Sequence, residues 1–246
     1  MGYEDGVERL KDLRRTNKLH NVAIDVDETI AAVHKVMTRL YNAEKGTRYT
    51  SEDHKDWDFK SIGSNYVEMM GHYVRAWKEF PNEIGMLADV DLIRELAQHY
   101  PIDLLTTRSI NGSFLASSNP EWTVEETTSG TISGLYVWKA QQKIGFLPII
   151  CSPEKINKLE YGYSVLVDDS PTLAVKVEKA NAATLLLVDK AYNRDIVESD
   201  RIIRVSDANQ AFGMLIRANL ETGGKKVLYQ SDEGQRLIGL GRKRVA

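Results

Sequence analysis

Cysteine is almost absent from the chain: Cys151 is the only one. No intrachain disulfide can form, so nothing points to an oxidising compartment or a crosslinked fold. Long apolar runs are missing too, and none approaches the ~20 residues that span a bilayer. Charge of one sign is not in excess. A formal net charge of -3 gives no basic field to draw the chain to a nucleic-acid duplex or an anionic membrane, so a small anionic ligand would need a local positive site. The histidines at positions 20, 34, 54, 72 and 99 show no metal-ligand spacing and are expected to be solvated or partly buried. The opening Met-Gly lacks the Ser or Thr at position 6 that a myristoylation signal wants. The first twenty residues lack the apolar stretch of a secretion signal. A cytoplasmic protein without membrane partners is expected. No internal repeat is present.

What is there suits an ordinary globular domain with room for an inserted subdomain: 246 residues, 42% of them hydrophobic, give ample core. Short apolar runs occur at 21–25, 102–105, 148–151, 164–167 and 184–188. Each reads as a buried parallel strand. Helical patterns fall between them, at 91–99, 137–144 and 172–179. Strands alternating with amphipathic helices predict an α/β fold, a doubly wound parallel (Rossmann-like) sheet. Ligands bind such sheets at the carboxyl ends of the strands.

The stretch from Asp25 to Leu104 is far longer than the ~30 residues of a βαβ step. Residues 33–88 therefore read as an insertion, with helices expected at 33–43 and 65–80: a small helical cap following the first strand. The phosphate-site core would comprise 1–32 and 89–221. Residues 111–134, rich in Ser, Thr, Asn and Gly, read as a loop that holds a hairpin or moves, and the sequence does not decide between them. The Gly-rich, basic stretch 222–246 reads as a flexible tail.

Asp25-Val26-Asp27-Glu28-Thr29 puts two carboxylates just beyond the first strand. Alone, such a pair is as readily a solvated turn. Later strand ends add a hydroxyl (Thr106), a lysine (Lys155) and an acid pair (Asp168-Asp169). A nucleophile, a hydroxyl, a cation and acids converging on one sheet edge outline a phosphoryl-transfer site. A phosphomonoester dianion repels a carboxylate, so its charge must be neutralised before Asp25 attacks. Mg2+ with oxygen ligands does this. Asp25 and Asp168 would offer it carboxylates and Asp27 a backbone carbonyl. Lys155 and the Thr106 hydroxyl would hold phosphoryl oxygens. Asp27 would protonate the leaving alkoxide and later deprotonate the hydrolytic water.

The runs VAIDVDET, LLTTRS, CSPEK and VLVDDSP resemble, in order, the four motifs of the haloacid dehalogenase superfamily. The likeness covers about 21 to 217, and the insertion position is similar to that superfamily's helical cap class. SEDHKDWDF, WKAQQKIGF, the acid pair and LLLVDKAYN further resemble the 5'(3')-deoxyribonucleotidase group. The resemblance implies Asp25 as nucleophile, Asp27 as acid/base, Thr106 and Lys155 as phosphate ligands and Asp168 as metal ligand. It implies that Asp169 supports the metal shell and that Thr107 touches phosphate. One departure is Glu28, where the nucleotidases often carry Gly.

Lys158 is the alternative to Lys155, which lies four residues past the third strand and is favoured. Arg108 reads equally as a substrate ligand or a helix cap. Trp57, Phe59 and Trp77 in the cap read as packing residues or as platforms for a nucleobase. Cys151 reads as a small core residue. The expected function is Mg2+-dependent hydrolysis of a small phosphomonoester, a nucleotide foremost and a sugar phosphate as the alternative. A phosphorylation-switched receiver module puts its acid pair on the first strand, so the motif order disfavours it. Whether the protein forms a homo-oligomer is left open.

Overall fold

The computed structural model describes residues 2–107, 124–152 and 156–226. Its centre is a six-stranded parallel sheet in the order β3-β2-β1-β4-β5-β6. The strands are β1 (Val22–Ile24), β2 (Ile102–Thr107), β3 (Ile149–Ser152), β4 (Val165–Asp168), β5 (Thr184–Val188) and β6 (Ile202–Val205). Alternate side chains feed two separate cores, as the period of two requires. Ala23, Leu105, Leu166, Leu185 and Leu187 join one. Val22, Ile24, Leu104, Val165, Val167 and Leu186 join the other. Both faces are therefore covered, which is why these strands read as unbroken apolar runs rather than alternating ones.

The first core is closed by Leu173, Ala174 and Val177 of α6 (Pro171–Ala180). Ser170 starts that helix by accepting from Leu173 N, with Pro171 in the first turn. The second core takes Val7 and Leu10 of α1 (Tyr3–Arg15), Ile93 and Leu96 of α4 (Val90–His99), and Phe212 and Leu215 of α7 (Ala208–Glu221). Asp89 and Asp207 cap α4 and α7 through their side chains. Ion pairs Lys11–Glu221 and Arg217–Glu4 tie α1 to α7. The doubly wound expectation is met. Three elements it did not include, α1, β6 and α7, complete the second core.

Between β1 and α4 the chain forms α2 (Val33–Lys45) and α3 (Tyr66–Glu79), close to the helices expected there. Gly46 ends α2 in the left-handed region at φ +68, and Asn65 caps α3 by accepting from Glu68 N. The expected loop at 111–134 is corrected over its second half. Helix α5 (Val124–Gln141) starts well before the pattern at 137–144, and 111–123 lie outside the described residues. Ser, Thr and Gly are weak helix formers, but here tertiary packing overrides propensity. A Cβ on Gly134 would lie 1.8 Å from the Trp77 carbonyl oxygen, so only glycine lets α5 pack this closely on α3. The expected tail is described only to Lys226. No helix among the described residues is long and apolar enough to cross a membrane.

Gly134→Ala should force α5 and α3 apart and cost about 1–3 kcal/mol, as overpacking does. A Cβ on Gly145 meets nothing within 4 Å, so Gly145→Ala should stay within about 0.5 kcal/mol of wild type. Urea unfolding of the two variants checks this. Equal stabilities would mean that the helix contact is not tight.

Candidate active site

The sheet register brings the acids together. Ile24 pairs with Val167, so the next residues, Asp25 and Asp168, emerge side by side, with Asp25 N donating to Val167 O at 2.9 Å. Asp169 follows and turns inward. Thr29 Oγ1 donates to its Oδ1 at 3.1 Å, the Tyr192 hydroxyl donates to its Oδ2, and Asn193 Nδ2 donates to its carbonyl at 2.9 Å. One carboxylate oxygen from each of Asp25, Asp168 and Asp169 lies within 4.8 Å of the others, and all three residues are buried.

Lys158 is the cation among them. Its Nζ donates to Asp25 Oδ1 at 2.7 Å and to Asp168 Oδ2 at 2.6 Å. Asn157 positions it by capping the short turn Lys158–Tyr161. Burial works against the ammonium charge, but Asp168 and Asp25 outweigh it and hold the Lys158 pKa above the usual lysine value. Burial also pushes Asp25 well above the carboxylate range. Lys158 opposes that shift, while Asp168, Asp169 and Asp27 add to it. Asp169 is pushed up to about 7, by burial first and then by Asp168. Three buried carboxyl groups share one ammonium, and the upward shifts of Asp25 and Asp169 are the consequence of that burial and crowding. The donors are oxygen only, with no Cys or His in the cluster, so the residues fit a hard divalent cation.

Asp27 faces elsewhere. Its Oδ2 accepts from Thr106 Oγ1 and from the Tyr73 hydroxyl, each at 3.1 Å, and its Oδ1 accepts from Trp77 Nε1 at 3.0 Å. Its carboxylate is thus outside the acid cluster, which agrees with expecting only its backbone carbonyl, not its side chain, near a metal. Trp77 is also corrected as a stacking platform. It is fully buried, with Trp138 edge-on at 5.8 Å, and has no open face for a base.

A cavity of 420 Å³ opens above Asp25, with Glu28, His34, Trp57, Phe59, Tyr73, Thr107, Lys158 and Tyr192 on its wall. Trp57 is 40% exposed and meets the Tyr192 ring edge-on at 5.4 Å. Phe59 is buried at φ +62, in a turn where Asp56 accepts from Lys60 N at 2.7 Å and Ser61 N at 2.6 Å. Glu28 stands at φ +56, a left-handed conformation that glycine adopts freely and other residues only at a cost of roughly 1–2 kcal/mol. Its buried side chain accepts from His34 N at 2.7 Å and lies 3.8 Å from Lys190 Nζ. Burial lifts its pKa to about 7 against the pull of Lys190. Thr107 ends β2, exposed at the cavity. Lys155 and Arg108 lie outside the described residues.

Sequence reasoning missed several of these groups. Tyr73 lies one helical turn before Trp77, so the spacing could have paired them. Tyr192 sits inside the LLLVDKAYN run. Lys158, named only as the alternative to Lys155, is brought back to the acids by the capped turn, which spacing along the chain does not reveal. Of the histidines, 54, 72 and 99 are buried.

No family model and no curated protein matches the chain. Solved structures do. A hydrolase of the haloacid dehalogenase-like family from Streptococcus pneumoniae is similar at a TM-score of 0.51 and 12% identity, over 80% of this chain and 98% of that one. A haloacid dehalogenase-like family hydrolase from Xanthomonas campestris gives 0.47 and 12%, over 83% and 98%. The chain has the fold of the haloacid dehalogenase-like hydrolases, with a buried aspartate cluster at its sheet edge.

One wall of the cavity makes a pH test. Burial, with Lys190 adding to it, lowers His34 to about 3, and burial lowers His54 to about 4. An unfolded histidine titrates near 6.5. The folded state thus binds fewer protons below that pH, and stability is lost as pH falls. Each histidine should contribute on the order of 1.4 kcal/mol per pH unit below ~6. Unfolding free energies at pH 7, 5.5 and 4.5 should fall less steeply for His34→Gln than for wild type. Parallel curves would place His34 in water.

Proposed function

We propose that the chain is a Mg2+-dependent phosphomonoester hydrolase that phosphorylates its own Asp25 and then hydrolyses the product. The observation carrying this reading is the contact of Lys158 with both Asp25 and Asp168 inside a buried, oxygen-only acid cluster at the cavity floor. Asp25, Asp168 and Asp169 would hold the cation, with the Asp27 carbonyl as a further ligand. The cation, when bound, supplies charge neutralisation and alignment of the phosphoryl group.

The chain's own residues account for the rest. Lys158 balances the charge of Asp25 and fixes its carboxylate at the strand end, ready for in-line attack. An Asp25 oxygen bonds to phosphorus as the bond to the leaving oxygen breaks, and protonated Asp27 gives that oxygen its proton. Water, losing a proton to Asp27, then attacks phosphorus. The bond to Asp25 breaks, releasing inorganic phosphate and restoring both carboxyl groups. Thr107 at the cavity wall and Lys155, by its motif position, would supply donors to the phosphoryl oxygens, whereas the expected Thr106 donor is corrected: its single hydroxyl proton goes to Asp27.

Residues 33–88 form the cap over the core of 1–32 and 89–221 in this reading, and a (deoxy)nucleoside monophosphate is the preferred substrate. Exposed Trp57 at the cavity wall favours it, with Tyr66, Met70 and Ile156 adding apolar lining. A sugar phosphate is the second reading, favoured by Glu28 and His34 on the same wall.

Asp25→Asn should reduce turnover of p-nitrophenyl phosphate to under a few per cent with the fold intact by circular dichroism, and substantial residual rate would remove Asp25 as nucleophile. Chelation should abolish activity and Mg2+ restore it, and rescue by Zn2+ alone would contradict the ligand set. Trp57→Ala should lower kcat/KM on a nucleotide roughly five- to a hundredfold, from ~1–3 kcal/mol per stacked base. The same variant should barely change p-nitrophenyl phosphate hydrolysis. Equal losses on both would make Trp57 a packing residue, and none on either would favour the sugar phosphate.

A further inference from the structure

Asp27 lies within two residues of the acid cluster, yet its carboxylate is held by the insertion. Trp77 Nε1 donates to one oxygen at 3.0 Å, and the Tyr73 hydroxyl donates to the other at 3.1 Å. Both come from α3, one turn apart on one face. Thr106 of β2 gives a further bond, at 3.1 Å.

Trp77 is itself locked from behind. Its ring meets Trp138 edge-on, and its backbone carbonyl rests against Gly134 of α5. Trp138 in turn donates from Nε1 to Ile84 O at 3.0 Å, where the chain leaves the insertion. A side chain in a packed core keeps one rotamer, so the indole N–H is a fixed donor. Tyr73 also lines the cavity.

We propose that Trp77 and Tyr73 are positioning residues that hold the Asp27 carboxyl on the leaving-group side of the site, so that general-acid catalysis depends on α3 being docked. The inference rests on the phosphohydrolase reading. A carboxyl able to rotate freely delivers its proton in only a fraction of encounters, and proton delivery by a placed acid contributes about a hundred- to ten-thousandfold. The loss on undocking falls on substrates whose leaving oxygen is basic. An alkoxide needs the proton as the bond breaks, and a nitrophenolate hardly does.

Benzyl phosphate and p-nitrophenyl phosphate are similar in size and differ mainly in leaving-group basicity. kcat/KM, which reports the steps through the first bond cleavage, should be measured with Mg2+ for wild type, Tyr73→Phe and Trp77→Phe. Benzyl phosphate hydrolysis should fall roughly ten- to a hundredfold, the lower part of a general acid's contribution. Hydrolysis of p-nitrophenyl phosphate should stay within about threefold. Tyr73→Phe removes only a hydroxyl, and its thermal unfolding should match wild type, so it answers the question even if the larger Trp77 change disturbs the fold. Equal losses on both esters, or no loss on either in Tyr73→Phe, would overturn the positioning role and leave the phosphohydrolase reading standing. A wild-type protein inert toward both esters would overturn that reading instead.

Discussion

Burying like charges together is what the rest of this molecule is arranged around. Asp25, Asp168 and Asp169 leave neighbouring strands at one sheet edge, and two of the three have their pKa values driven upward. Such a cluster opposes folding unless cations and donors answer it. Lys158 answers Asp25 and Asp168, while Thr29 and Tyr192 answer Asp169. The parallel register makes the arrangement unavoidable once Ile24 pairs with Val167. A sheet buried on both faces keeps that register, since a slip by one residue would exchange the two cores.

Helix α3 adds a second constraint on the same loop. Asp25 answers to the sheet edge and the Asp27 carboxylate to Tyr73 and Trp77 of α3, so two neighbouring acids are held by different elements. Glu28 takes a left-handed backbone in that turn and is held there by His34 N–H and Lys190. Strain of this kind persists where surrounding contacts over-determine it. The close approach of α5 at Gly134 then sets how α3 is seated, so a glycine remote from the acids bears on the geometry of one of them.

Much of this was legible in the residues, for identifiable reasons. Buried parallel strands announce themselves as apolar runs, so β1 to β5 could be read directly, and polar residues at their ends marked the site. Glu28 stood out because glycine was expected, and the positive φ supplies the physical reason. What was hidden depended on partners distant in sequence. Helix α5 begins in weak helix formers that fold because α3 covers them. Lys158 returns to the acids through a capped turn. Trp77 looks like a cap aromatic until Trp138 and Asp27 are seen to occupy its edge and its N–H. β6 and α7, with α1, carry no site residue, so their sequence has no polar motif to mark them.

The central claim is that Asp25 carries the phosphoryl group during turnover. Acid-quenching the enzyme within the first turnovers on a phosphomonoester, followed by peptide mass spectrometry, tests it directly. The expected result is a hydroxylamine-sensitive phosphate on the peptide containing Asp25, at Asp25 itself, absent when substrate is omitted. Phosphate on any other residue, or turnover with no enzyme-bound phosphate at any quench time, would contradict the claim.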